Sequence, residues 1–197
     1  MSYIKTKNYK NLFDLINPQI PVNIFIGGSS GIGKSSTIIA IAEEQERHIY
    51  RVNLSNATDV DDLVGGLRLK DDSTYFEYGP CVKAMQVENG ILLLDEVDTA
   101  NPGLLMELHP ILERKGVLIK KTGEYITPSK GFQVIATGNT KGHGDSSGKY
   151  VGTRPLNAAF LDRFGIFYDF VVPTNAEIKK LLALISWVNY QKILLMH

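Results

Sequence analysis

The feature that most constrains this chain is an apolar run that leads into a glycine-rich turn and then a helix. The run is Ile24–Ile26, and the turn contains Gly28-x-x-x-x-Gly33-Lys34-Ser35. Glycines let such a backbone curl until successive N–H groups point into one concave nest, which binds phosphate. The positive N-terminal end of the helix adds to this nest. The residues predicted to bind phosphate are Gly28, Ser29, Ser30, Gly31, Ile32, Gly33, Lys34, Ser35 and Ser36.

Two side chains of this turn have distinct predicted roles. Lys34 can reach the β- and γ-phosphates of a nucleotide, and the Ser35 hydroxyl can ligate Mg²⁺. The alternative is an accidental glycine-rich turn, but average residue usage produces the pattern in only about 1% of chains this long. The pattern therefore predicts a nucleotide site with Mg²⁺.

The segments around the turn predict an α/β fold. Val22–Ile26 is a continuous apolar strand, Lys34–Glu46 is an amphipathic helix, and Ile49–Leu54 is a second strand. Alternation of strand, helix and strand is typical of a parallel sheet covered by helices. The expected fold class is a three-layer α/β/α sandwich of the P-loop type.

Composition excludes several classes of protein. Lysine plus arginine and aspartate plus glutamate both number 21, so the net charge is zero and a bulk electrostatic nucleic-acid binder is disfavoured. A single cysteine, Cys81, excludes a disulfide framework and fits a reducing cytosol, so we expect a cytoplasmic protein. Charged residues interrupt the most apolar segment, 178–196, so we expect no membrane span.

A second informative stretch ends in two carboxylates. Ile91–Leu94 is a predicted buried strand, followed at its carboxyl end by Asp95 and Glu96. Ligands of parallel α/β sheets gather at this edge. Asp95 is expected to hold Mg²⁺ together with Ser35, and Glu96 to polarise the attacking water as general base. Strands capped by surface acids are common, but the upstream turn makes the catalytic interpretation stronger.

A third strand predicts one more catalytic side chain. Phe132–Thr137 is apolar, and Asn139 follows it closely. An amide beside the phosphate turn can orient the attacking water, although an isolated asparagine after a strand is usually only a turn former.

Two hairpins are predicted as insertions, at residues 67–78 and 117–127, with a helix from Pro102 to about Lys115 between them. A further helix is predicted over Leu156–Arg163. Insertions at loops often carry contacts to partners, but an ornamental surface hairpin is an equally good interpretation. Residues 141–153 form a glycine-rich loop. Its His143 and Asp145 are weak evidence for a metal site, because two ligands in a loop are too few.

The ordered motifs Gly28–Ser35, Asp95-Glu96, Asn139 and Asp162-Arg163-Phe164 resemble the AAA+ ATPases, in particular the MoxR-like branch. Three longer segments are similar to the CobS-type ATPase subunit of aerobic cobaltochelatase. These segments are Arg51–Leu54, Phe132–Thr153 and Leu156–Phe164.

This resemblance implies a five-stranded sheet of order 5-1-4-3-2 and a homo-oligomeric, hexameric ring with ATP and Mg²⁺ bound between subunits. It also implies that Arg163 is the arginine finger that reaches the neighbouring subunit's γ-phosphate. The alternative is that Arg163 only makes a salt bridge to Asp162 or Glu177. Arg154 is a rival finger, but the family pattern shows no arginine at its position.

The resemblance also suggests the domain organisation. We expect an N-terminal arm at 1–20, an ATPase core at 21–173, and the start of an incomplete helical lid at 174–197. Thr174 and Glu177 have the spacing of a capping box that opens this last helix.

The first functional hypothesis is an ATP-hydrolysing ring subunit that remodels or drives a partner protein. By resemblance, that partner is a chelatase subunit with a metal-ion-dependent adhesion-type domain. A nucleotide-dependent scaffold with little turnover is the alternative. A nucleic-acid-directed motor is a third hypothesis, which rests only on Lys120, Lys121 and Lys130 near the second hairpin.

Overall fold

A computed structural model of the chain describes residues 3–140, 155–180 and 182–183. The predicted glycine-rich loop with His143 and Asp145 lies outside the described residues, and so do Arg154 and the end of the predicted lid.

The described residues form helices and strands in close alternation. The strands are β1 (Ile24–Gly27), β2 (Ile49–Asn53), β3 (Gly65–Lys70), β4 (Ser73–Tyr78), β5 (Ile91–Asp95), β6 (Val117–Ile119), β7 (Glu124–Ile126), β8 (Gln133–Gly138) and β9 (Ile166–Asp169). The α-helices are α1 (Lys7–Leu15), α2 (Lys34–Glu44), α3 (Val60–Val64), α4 (Pro80–Gln86), α5 (Pro102–Glu107), α6 (His109–Leu112) and α7 (Ala158–Leu161). Residues 175–180 are also helical. A short 3-10 turn, Val97–Thr99, follows β5.

A parallel sheet of order β2-β5-β8-β1-β9 is the centre of the described structure. Counted along the chain within this sheet, the order is 5-1-4-3-2, which confirms the prediction. The register pairs Gly27 of β1 with Gly138 of β8, and Asn53 of β2 with Asp95 of β5. The carboxyl ends of the four strands therefore meet at one edge, where parallel α/β sheets bind ligands.

Side chains alternate between two apolar layers, one on each face of the sheet. In β5, Leu92 and Leu94 pack in the cluster that includes α4, α5, α6 and α7. Ile91 and Leu93 pack in the opposite cluster, which includes α1 and α2. β5 is buried along its whole length because both of its faces are covered. This arrangement is the predicted three-layer sandwich.

Two predicted elements differ from the structure. The helix predicted from Pro102 to Lys115 is two short helices, because Pro110 has no N–H to donate to the carbonyl one turn earlier. The helix predicted over Leu156–Arg163 is shorter, and the Asn157 side chain caps its start by accepting from the Ala159 amide.

Both predicted hairpins are present as separate two-stranded sheets. Asp71 and Asp72 join β3 to β4 with positive φ values of 49° and 57°. Two consecutive left-handed residues are characteristic of the tight turn that matches strand twist. The hairpins touch one another, since the Tyr78 hydroxyl donates to Glu124 across 2.8 Å.

The N-terminal segment, predicted as an arm, packs onto the core through α1. Leu12 and Ile16 are fully buried in the cluster that contains α2. The Tyr9 hydroxyl donates to Glu44 of α2 across 2.7 Å, and burial together with this bond raises the pKa of Tyr9. The segment therefore contributes to the fold, while its boundary at residue 20 stays a prediction. Among the described residues, none belongs to a helix with the length and apolarity to cross a bilayer.

Replacing Leu12 by alanine tests whether α1 belongs to the core. We expect the free energy of unfolding to fall by about 2–5 kcal/mol, because the substitution leaves a cavity in a closed layer. Chemical denaturation measures this quantity. The matched control is Ile20→Ala at an exposed side chain, which should stay within about 0.5 kcal/mol of the parent. Equal effects of the two substitutions would show that α1 is only loosely attached.

Candidate functional site

The glycine turn links the carboxyl end of β1 to the start of α2. Gly31 and Gly33 have φ values of 76° and 94°, a region that side-chain-bearing residues rarely adopt. Gly33 is the N-cap residue of α2, so the helix begins at Lys34 as predicted. The turn therefore presents backbone N–H groups and a helix N-terminus to the same space, which favours an anion.

Lys34 joins the turn to the next strand of the site. Its Nζ donates to the carbonyl oxygens of Gly28 and Ser29, at 2.5 and 2.9 Å. It also donates to Oδ1 of Asn139, at 3.1 Å. The Lys34 side chain is buried. Its cation therefore contacts both the glycine turn, which is predicted to bind phosphate, and Asn139, which is predicted to orient the attacking water.

The predicted metal ligands, Ser35 and Asp95, lie in direct contact. The Ser35 hydroxyl is 2.9 Å from Oδ1 and 2.7 Å from Oδ2 of Asp95. The Thr137 hydroxyl also donates to Oδ1. Hydroxyl and carboxylate oxygens are the ligands that Mg²⁺ prefers, so the pair has suitable chemistry for this ion.

Sequence reasoning did not assign a role to Arg51, which also contacts Asp95. Its Nε and Nη2 atoms lie 2.9 and 2.6 Å from Oδ2. Arg51 is on β2, beside β5 in the sheet. The signal in the sequence was an arginine within the Ile49–Leu54 strand. The expected strand order places this strand beside the strand that ends at Asp95.

Glu96 lies beside these residues in an unusual backbone conformation. Its φ and ψ of 58° and 44° are left-handed, a conformation that costs about 1–3 kcal/mol for a residue other than glycine. Its amide donates to the Thr137 hydroxyl across 3.2 Å. The turn directs the chain away from β5 immediately after Asp95, so the two adjacent carboxylates occupy different positions at the sheet edge.

Asn139 is positioned by a buried acid that sequence reasoning also missed. Oδ2 of Asp98 accepts from the amides of Asn139 and Thr140 at 2.8 and 2.9 Å, and from the Thr140 hydroxyl at 3.2 Å. Asp98 is almost completely buried. Its position three residues after Asp95 was the only signal in the sequence.

Most of the predicted residues line one cavity of about 260 Å³. Its lining consists of Ser30, Gly31, Gly33, Lys34, Ser35, Ser36, Arg51, Asp95, Glu96 and Asn139. A neighbouring, more apolar cavity of about 420 Å³ shares Gly31, Gly33 and Ser36 with it. Tyr3, Ile32, Phe170, Val172 and Ile178 supply apolar surface to this second cavity. Phosphates and Mg²⁺ fit the polar cavity, because it combines a glycine cradle, a lysine, a hydroxyl and a carboxylate.

Arg163 lies at the opposite edge of the sheet from this cavity. Its carbonyl accepts from the side chain of Asn23, which precedes β1, whereas the glycine turn follows β1. Its Nη2 pairs with Glu113 at 2.5 Å, and its Nη1 donates to the Ala159 carbonyl. The predicted alternative, a salt bridge from Arg163 to Asp162 or Glu177, is therefore wrong, because the partner is Glu113. The distance along β1 also means that Arg163 cannot serve the cavity of its own chain.

Charge around Arg163 shifts two neighbouring groups. The pKa of His109 is lowered, first by burial and second by the nearby Arg163 cation. The pKa of Glu113 is lowered by its hydrogen bond to Lys115 and then by its bond to Arg163. Glu113 is therefore an ionised partner for Arg163 at neutral pH.

Together, the sheet order and the cavity at the glycine turn define a P-loop α/β protein with a nucleotide site. The chain belongs to the AAA domain family, dynein-related subfamily, whose sequence model matches residues 23–164.

The chain is also similar to two relatives of unassigned function and shares its fold with a solved structure. An uncharacterized protein of Staphylococcus aureus strain USA300 is 33% identical over 165 residues, 81% of this chain and 57% of that protein. A protein of strain NCTC 8325 / PS 47 matches with the same values. A protein of Cytophaga hutchinsonii ATCC 33406 to which ATPase activity is ascribed shares the fold, with a TM-score of 0.71 and 19% identity. That match covers 92% of this chain and 51% of that one. The chain thus spans just over half the length of the relatives it matches.

Replacing Asp98 by alanine tests its hold on the Asn139 loop. The substitution leaves two partly buried amides without their acceptor, so we expect the free energy of unfolding to fall by about 2 kcal/mol. Chemical denaturation is the measurement. Asp14→Ala, at an exposed position of α1, is the matched control and should be nearly neutral. If the free energy of unfolding falls equally little in both variants, Asp98 does not anchor the Asn139 loop.

Proposed function

We propose that this chain is an ATP-hydrolysing subunit of an AAA+ ring that acts on a partner protein. One observation supports the proposal most strongly: Lys34, Ser35, Asp95, Glu96 and Asn139 line the same cavity at the carboxyl edge of a parallel sheet. These are the residue types that phosphoryl transfer to water requires, in one place.

The residues of the cavity divide the chemistry between them. The P-loop amides and Lys34 bind the β- and γ-phosphates and neutralise their charge. Ser35 and Asp95 would hold Mg²⁺, which would supply positive charge to offset the negative charge that develops on the phosphates. Glu96 is the general base that orients and polarises the attacking water, and Asn139 orients the same water beside Lys34.

The apolar cavity beside the P-loop is suited to a nucleotide base. Tyr3, Ile32 and Phe170 contribute ring and aliphatic surface within reach of the phosphate cradle. A base that leaves water for such a surface contributes binding free energy without affecting the reacting phosphate. Because this cavity draws residues from both ends of the described chain, base binding would couple the N-terminal segment to the start of the predicted lid.

The position of Arg163 supports the proposal of a ring. Its guanidinium is at the far edge of the sheet from its own P-loop, so in this proposal it completes the site of a neighbouring copy. Such a head-to-tail contact generates a closed ring when the rotation between subunits is right. We propose a hexamer, as in the resembling families, in which the contact with the neighbour replaces the bond between Arg163 and Glu113.

The finer assignment is that the chain works like the CobS-type subunit, on a partner with a metal-ion-dependent adhesion-type domain. The exposed apolar side chains of the two hairpins support contact with some protein. They are Leu67, Leu69 and Tyr75 on the first hairpin and Leu118 and Tyr125 on the second. Nucleic acid is disfavoured, because Lys121 is already paired with Asp61.

Glu96→Gln separates binding from hydrolysis. We expect the ATPase rate to fall about 100-fold or more, because glutamine cannot accept a proton, while ATP affinity stays close to that of the parent. Phosphate release and fluorescent-nucleotide titration measure the two quantities. Glu43→Gln, at an exposed position on α2, should change neither. A parent protein that binds ATP but shows no turnover at any protein concentration would instead support the scaffold alternative.

Mixing two inactive variants tests the shared site. Arg163→Ala and Glu96→Gln should each be inactive alone, but a Glu96-bearing subunit can use the Arg163 of its neighbour in a mixed ring. Equal amounts should recover about a quarter of the parental rate, because random order places both intact groups at one interface in four. An inactive mixture of two folded, co-assembling variants would place the finger elsewhere, with Arg154 as the next candidate.

A further inference from the structure

The Arg51 guanidinium contacts the Asp95 carboxylate, which the proposed Mg²⁺ would also bind. We infer that Arg51 is a positioning residue, a built-in counter-ion of Asp95 that must leave when Mg²⁺ and nucleotide bind. The inference rests on the proposed nucleotide site and adds a residue that sets its metal requirement.

Protein donors engage both oxygens of Asp95. Oδ2 accepts from Nε of Arg51 at 2.9 Å and lies 2.6 Å from Nη2, and Ser35 reaches it at 2.7 Å. Oδ1 accepts from Ser35 at 2.9 Å and from Thr137. The carboxylate is therefore surrounded, and a metal ion or its bound water can approach only after one donor withdraws.

Arg51 is the donor best able to withdraw. Thr137 is completely buried and also accepts the Glu96 amide, so its movement would disturb the predicted general base. Ser35 would stay as a ligand. The Arg51 side chain is 49% exposed and Asp95 only 4%, so the guanidinium can turn into solvent while the carboxylate stays in place. Its positive charge would also repel a divalent cation at the same oxygen.

The same contact has a stabilising role. A carboxylate as buried as Asp95 is strongly destabilising without a compensating charge, and a second carboxylate follows directly in the sequence. Arg51 supplies that charge whenever the metal is absent from solution. Exchange of one cation for the other keeps Asp95 compensated, and it weakens Mg²⁺ binding by the free energy needed to break the arginine contact.

Arg51→Gln tests the exchange by binding rather than by turnover. We expect the Mg²⁺ concentration at half-saturation of fluorescent ATP binding to fall about tenfold, the equivalent of one charge-assisted hydrogen bond. The melting temperature of the protein without nucleotide should fall.

Two further variants complete the design. Arg51→Lys keeps a cation and should retain a Mg²⁺ requirement closer to that of the parent, which also covers a failure of the glutamine variant to fold. Arg68→Gln removes an exposed arginine that pairs with Glu77 on the first hairpin and should change neither quantity.

The outcomes separate this inference from the proposed function. An unchanged or higher Mg²⁺ requirement in Arg51→Gln would overturn the counter-ion role while leaving the nucleotide site intact. A parent protein that binds no ATP with Mg²⁺ would overturn the proposed function, and the inference with it.

Discussion

The buried carboxylate of Asp95 is the interaction on which the rest of the site depends. It sits at the end of β5 and receives hydrogen bonds from Ser35 of α2, Thr137 of β8 and Arg51 of β2. A carboxylate buried this deeply needs such partners, because desolvation disfavours its charge. Satisfying it therefore draws three neighbouring elements to the same point. The chemistry of the site and the stability of this sheet edge arise from the same contacts.

The opposite edge of the sheet carries the other proposed half of the reaction. Arg163 is held between Glu113 and the Ala159 carbonyl, and His109 lies nearby. A strand of a parallel sheet has two distinct ends, so residues at the two ends of β1 cannot meet within one chain. They can meet between copies arranged head to tail. This polarity is the physical reason for proposing that hydrolysis depends on assembly.

Local sequence patterns predicted much of the fold because they report local physics. Apolar runs marked four of the five strands of the sheet, and the glycine turn placed the start of α2 correctly. The helix after Pro102 was predicted too long, since the effect of Pro110 on the helix was not weighed. Asp98 was missed because its role depends on the amides of Asn139 and Thr140, which lie some forty residues away.

The sequence by itself determined that a glycine turn, an acidic strand end and an asparagine would share one sheet edge. Parallel strand order follows from alternation of strand and helix, and such order brings carboxyl ends together. Only the tertiary structure decided what surrounds them. It placed Arg51 on Asp95, Asp98 beneath Asn139 and Glu113 on Arg163. These contacts join residues distant in the chain, so they depend on side-chain packing between elements rather than on any spacing along the sequence.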